Sequence, residues 1–169
     1  MTALNLIISA RSDVDDLIRQ HNPDYVISVL DDGDAVPPTF ENARHVKLNG
    51  NCIDPATCED NCQKIIDLAE QFITDAKDGS SILIHCTEGV CRSTAFAYVF
   101  VCAVERNTPE ADIADRLRSL APHADPNVMV VARADALLGR EDRMIDAILE
   151  MPPCSAGATA RSVILPVAA

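Results

Sequence analysis

"SILIHCTEGVCRSTAFAYVFVCAVE", residues 81–105, decides how this chain folds. Ile82, Leu83 and Ile84 form an apolar run without alternation, which predicts a strand over Ser81–His85 buried on both faces and central in its sheet. A short loop with Gly89 in its middle follows. From about Ser93 to Glu105 the chain is apolar nearly all round, which predicts a buried helix. Strand, tight loop and buried helix in succession are the unit of an α/β sheet, where ligands bind beyond the carboxyl ends of the strands. Residues 86–93 lie at such an end.

Upstream, Leu4–Ser9, Asp24–Leu30 and Arg44–Asn49 read as further strands. "SDVDDLIRQHN" reads as a helix capped by Ser12 or Asp13, and "DDGD" as a turn closing the second strand. A longer helix follows "GNCIDPA". Thr57 and Asp60 stand at capping-box spacing, and Cys58, Cys62, Ile65, Ile66, Ala69, Phe72, Ile73 and Ala76 mark its apolar stripe up to Asp78-Gly79. Downstream, Thr108-Pro109 and Asp125-Pro126 read as helix starts, Gly139 as a helix stop, and "EDRMIDAILEM" as a last short helix. The fold class expected is α/β: a single domain with a central, mostly parallel sheet of four to five strands flanked by helices. The domain spans 1–152; residues 153–169 are a C-terminal tail without an assigned structure.

The 169 residues suffice for one domain with a real core, and 48% hydrophobic with 24% charged residues is an ordinary globular balance. A net charge of −12 without a Lys/Arg cluster argues against nucleic acid or an anionic membrane as partner. It leaves room for one small anion in a local pocket. The N-terminus lacks a secretory pattern and no apolar stretch is long enough to span a bilayer, so a cytoplasmic location is expected. Seven cysteines, an odd number, argue for reduced thiols over a disulfide framework.

The loop "CTEGVCRS" is built to hold an anion. A helix N-terminus offers unpaired backbone N–H groups and partial positive charge, and Gly89 lets the backbone curl inward. Arg92 is placed to fork onto two oxygens of a bound phosphate. The same environment lowers a cysteine's pKa from about 8.5 to roughly 3.5–7.5, so Cys86 is expected as a thiolate beneath the bound phosphorus atom.

"HCTEGVCRS", His85 to Ser93, resembles the H-C-x5-R-S motif of the protein tyrosine phosphatase superfamily. The order of elements resembles the compact dual-specificity type. The segments "VISVLDD", "PHADPN" and "ADALLGRE" are similar to those of a group of bacterial phosphatase-like proteins. The resemblance covers about residues 4–150 and implies a phosphoric monoester hydrolase working through a cysteinyl-phosphate. In that scheme Cys86 is the nucleophile, while Arg92 and the backbone of Thr87, Glu88, Gly89, Val90 and Cys91 hold the phosphoryl oxygens. Ser93 assists the departing thiolate and His85 orients the loop from behind. No metal or cofactor is implied.

The family places a general acid on a loop upstream of the cysteine, and Asp54 in "NGNCIDPATCED" is the expected acid. The bacterial relatives carry the acid directly before an isoleucine. Here the residue before Ile53 is Cys52, so the acid is weakened or replaced; Asp60 is the lesser candidate. A weak acid favours phosphotyrosine over phosphoserine or phosphothreonine, because the phenol, with a pKa near 10, leaves more easily than an alcohol. Glu88, where a base would match extra phosphates, points to a phosphorylated protein or a small aryl phosphate as substrate. The alternative is a phosphate-binding pseudophosphatase; a thiol-based reductase or sulfur-transfer protein on the same loop is the third reading. Cys58 and Cys62 read as core thiols, Cys52 and Cys91 as packed thiols able to reach an oxidised Cys86, His123 and Asn127 as structural. His21 and His45 carry no signal.

Overall fold

The computed structural model describes residues 3–35, 44–155 and 157–168, with the side chain of Ala3 left aside. The loop expected at "AVPPTF" falls largely outside them. In chain order the elements are β1 (Ala3–Ala10), α1 (Val14–His21) after a single 3-10 turn, β2 (Tyr25–Leu30), β3 (Arg44–Asn49), α2 (Pro55–Asp75), β4 (Ser81–Cys86), α3 (Arg92–Val104), α4 (Glu110–Leu120), α5 (Val128–Leu138), α6 (Arg143–Glu150) and β5 (Val163–Ala168). The sheet order is β3-β2-β4-β1-β5. β4 is the central strand. The first four strands run parallel, and β5 closes the β1 edge in the antiparallel sense, Leu165 opposite Leu6.

Alternation along the strands sorts the core into two layers. Ile7 and Leu83 face one side, where Val14, Leu17 and Ile18 of α1 cover them together with Val26. Leu6, Ile8, Ile82 and Ile84 face the other side, in the main core with α2 to α6. Every α3 residue after Arg92 is buried, as its composition predicts. Placing it against β4 and β1 sets its N-terminus at the carboxyl edge of the central strand.

Three helix starts differ from expectation. Asp54 is the N-cap of α2: its carboxylate accepts from Thr57 N at 2.8 Å with Pro55 at the first helical position, so no Thr57–Asp60 capping box forms. Asp60 instead pairs with Lys64 at 2.6 Å. Pro109 is itself the cap of α4, its carbonyl accepting from Asp112 N and Ile113 N. Asn127, not Asp125, caps α5, accepting from Met129 N and Val130 N. Gly139 ends α5 in the left-handed region at φ 64°, as expected. The tail left unassigned from sequence carries β5, with Val163, Leu165 and Val167 buried and the residues between them exposed.

Candidate active site

The loop from β4 to α3 is held by its carbonyls. Arg11 N donates to Thr87 O, Asp125 N to Val90 O, and Asn127 N to Cys91 O. Thr94 Oγ1 adds bonds to Val90 O and Cys91 O. With those oxygens tied to the loop's periphery, N–H groups are left for the inside. Gly89 adopts φ 73°, and a Cβ there would stand 2.6 Å from Ala10 N and 2.7 Å from Ser9 C. Only glycine fits both the backbone and the space.

Cys86 is buried at the bottom of this loop. Its Sγ accepts from Gly89 N at 3.3 Å and lies 3.3 Å from Ser93 Oγ. Burial pushes its pKa up. The Ser93 hydroxyl and the backbone N–H groups of Ser93, Gly89 and Glu88 outweigh that and hold it below the ordinary thiol value. The structure thus brings Cys86, Ser93, Gly89 and Glu88 together around one sulfur.

Behind Cys86, His85 is fully buried, and its Nε2 lies 2.6 Å from Ser28 Oγ. Ser28 Oγ is also 2.7 Å from His45 Nε2. One hydroxyl between two imidazoles can donate to only one of them, so the trio fixes complementary tautomers across β3, β2 and β4. Burial chiefly, countered in part by the Cys86 backbone, lowers the His85 pKa to about 4. It is neutral at physiological pH. His45, without signal in the sequence, is thus part of the support for His85; Ser28 was hidden inside an apolar strand.

Arg92, the first residue of α3, reaches across the mouth of the loop. Its Nη1 lies 2.7 Å from Asp31 Oδ1 and 3.5 Å from Gly50 O, and Nη2 donates to Thr87 Oγ1 at 3.2 Å. Gly50 makes room for this: a Cβ there would stand 2.2 Å from Arg92 Nη1, 2.4 Å from Asp31 Oδ1 and 2.9 Å from Leu30 C. Asp31, Asp32, Asn49, Gly50, Asn51, Cys52, Ile53, Cys91, Arg92 and Asn127 line a pocket of about 490 Å³ beside the loop. Asp54 is not among them. It is fully exposed at the start of α2, and its hydrogen bonds from Thr57 hold its pKa below the usual value.

The other thiols sort by surroundings. Cys52 is buried on the pocket wall; burial first, then the neighbouring Cys58, Cys91 and Asp31, against the pull of Arg92, push its pKa up to about 11. Cys58 and Cys62 donate weakly to Met129 O and Val130 O, packing α2 on α5. All seven cysteines are free. His123 is buried next to Gly89 of this loop, and burial chiefly holds its pKa below the ordinary value. Among the described residues no group of three or more His, Cys, Asp or Glu side chains is placed to hold a metal ion. No described helix is long and apolar enough to cross a membrane.

The same arrangement of strands and helices occurs in solved structures. DUSP15 superposes with a TM-score of 0.62 at 16% identity, over 89% of this chain and 94% of its own. Human DUSP28 gives 0.61 at 16%, over 81% and 90%. A mouse putative dual specificity phosphatase, solved in complex with zinc tungstate, gives 0.60 at 19%, over 82% and 84%. This is the dual-specificity phosphatase fold. No protein-family profile matches the sequence, and no curated protein matches it either. On the dual-specificity phosphatase fold as it stands here, β4 ends at Cys86, α3 begins at Arg92, and the loop of residues 87–91 joins them.

Proposed function

We propose that the protein is a cysteine-dependent phosphoric monoester hydrolase acting on aryl phosphates, phosphotyrosine above all. The observation that carries this is the sulfur of Cys86, hydrogen-bonded with the Ser93 hydroxyl and by backbone N–H groups of a loop that ends at Arg92. Sulfur attacks phosphorus as the aryl oxygen leaves, forming a cysteinyl-phosphate. Arg92 and the backbone of Thr87 to Cys91 stabilise the charge on the transferring group. In the second step water attacks phosphorus, and Ser93 Oγ donates to the sulfur as the S–P bond breaks. His85 stays neutral and holds the end of β4 from behind. The chemistry needs no metal or cofactor.

Preference for phosphotyrosine follows from the loop after β3: its residues on the pocket wall, Asn49 to Ile53, include no carboxyl, so a proton donor must come from outside that loop. Asp54 serves α2 as its cap and is not turned into the pocket, while Cys52 on the pocket wall is a far weaker acid than a carboxyl. Alkyl esters of phosphoserine and phosphothreonine depend more on a proton donor than aryl esters do. The acidic residues at the mouth, Asp31 and Asp32, disfavour polyanionic substrates.

The same feature favours a second reading, a phosphate-binding pseudophosphatase. The two are separated by hydrolysis of an aryl phosphate in the presence of EDTA, with Cys86→Ser as control. Turnover that the substitution abolishes supports the enzyme. Saturable phosphopeptide binding without turnover selects the pseudophosphatase.

A further inference from the structure

We propose that Asp31 is the general acid of this site, freed for that role when the substrate's phosphate takes Arg92 from it. The inference rests on the hydrolase reading above. Asp31 sits at the end of β2, its N–H held by Asp34 Oδ2 at 3.0 Å, and its carboxylate projects onto the pocket wall beside Cys52. The groups around it are Arg92, paired at 2.7 Å, together with Cys52, Cys91 and the exposed Asp32 on the same wall. Among these only Arg92 is a cation.

A dianionic phosphate seated in the loop competes directly for the Arg92 fork. Once the guanidinium turns to the phosphoryl oxygens, Asp31 has lost its cation and faces a dianion. Both changes favour the protonated carboxyl, with the proton taken from solvent. As the S–P bond forms and the P–O bond breaks, Asp31 passes this proton to the departing aryl oxygen and becomes a carboxylate. In the second step it takes a proton from the attacking water, the P–S bond breaks, and the sulfur leaves as thiolate. Phosphate departs, and Arg92 pairs with Asp31 again. The empty site keeps Arg92 between Asp31 and Thr87 at the edge of the loop.

The test compares hydrolysis of phenyl phosphate and nitrophenyl phosphate by wild type, Asp31→Asn, Asp32→Asn and Asp54→Asn, each shown folded by circular dichroism. A general acid is worth about 10²–10⁴-fold, most where the leaving group is poor. Asp31→Asn is expected to lose about 10²-fold on phenyl phosphate and under about tenfold on the nitrophenyl ester, so the rate depends more steeply on the leaving group. An equal loss on both esters means that Asp31 only positions Arg92, and no loss means neither role; each overturns the proposal. Selective loss in Asp32→Asn or Asp54→Asn instead assigns the acid to that residue and overturns it too. Absence of Cys86-dependent turnover in wild type removes the hydrolase reading itself, a failure seen before any of these variants is compared.

Discussion

At Cys86 desolvation and hydrogen bonding oppose each other, and the hydrogen bonds win. A thiol whose folded pKa lies below its unfolded value is ionised at pH values where a free cysteine is still protonated. The difference in thiolate absorbance between wild type and Cys86→Ser is therefore expected to rise at lower pH than that of a free cysteine in solution; coincident titrations would refute this. Gly50 tests the other wall. Gly50→Ala drives a methyl group into Arg92, Asp31 and the backbone of Leu30. Losing one properly aimed oxyanion donor costs about 10²–10³-fold, so a loss of about 10²-fold in kcat/KM is expected in a folded protein. Cys86, Gly89, Arg92 and Ser93 were legible because one loop carries them all. Asp31 was not, since its partner Arg92 is 61 residues away and nothing local in "DDGD" distinguishes a pocket carboxylate from a turn residue.

The helix starts show where local signals mislead. Asp-Pro and Thr-Pro all suggest a cap followed by the first helical residue, yet only Asp54-Pro55 obeys. At Thr108-Pro109 the proline carbonyl takes the first helical bonds, and before α5 Pro126 precedes an asparagine that bonds two N–H groups. The choice was made by tertiary placement: Asn127 N is tied to Cys91 O, which fixes where α5 begins. Asp54 has a defined structural duty that can be measured. Asp54→Ala is expected to lower the denaturant midpoint through the lost cap, and Asp54→Asn, itself a good cap, to leave it nearly unchanged. Equal loss in both would mean that the charge matters and the cap does not.

Across the whole molecule, the parallel order of β1 to β4 followed from the alternation of strands and helices, whereas β5 was missed. Pro166 argues against a strand, and a proline is tolerated here because β5 is an edge strand. The alternation Val163, Leu165, Val167 was the signal available. Removing residues 163–168 uncovers those three side chains and the β1 edge, for a loss on the order of 5 kcal/mol, comparable to a domain's whole stability. Extensive unfolding at room temperature is expected in circular dichroism; native-like melting would contradict the role of β5. Stability also depends on His85. Its folded pKa of about 4 lies below the 6.5 of the unfolded chain, so between those pH values the unfolded state binds a proton that the native state does not. Stability therefore falls as pH drops through that window, by about 3 kcal/mol for this group. Urea midpoints at pH 7 and pH 4.5 check it, and His85→Asn is expected to flatten the dependence.

The central claim is that the sulfur of Cys86 takes the phosphoryl group. Rapid acid quench of the protein turning over an aryl phosphate, followed by peptide mass spectrometry, tests it most directly. The account predicts one phosphoryl group on the peptide carrying Cys86 and none in Cys86→Ser. Turnover without that adduct, or at an equal rate in Cys86→Ser, would contradict it.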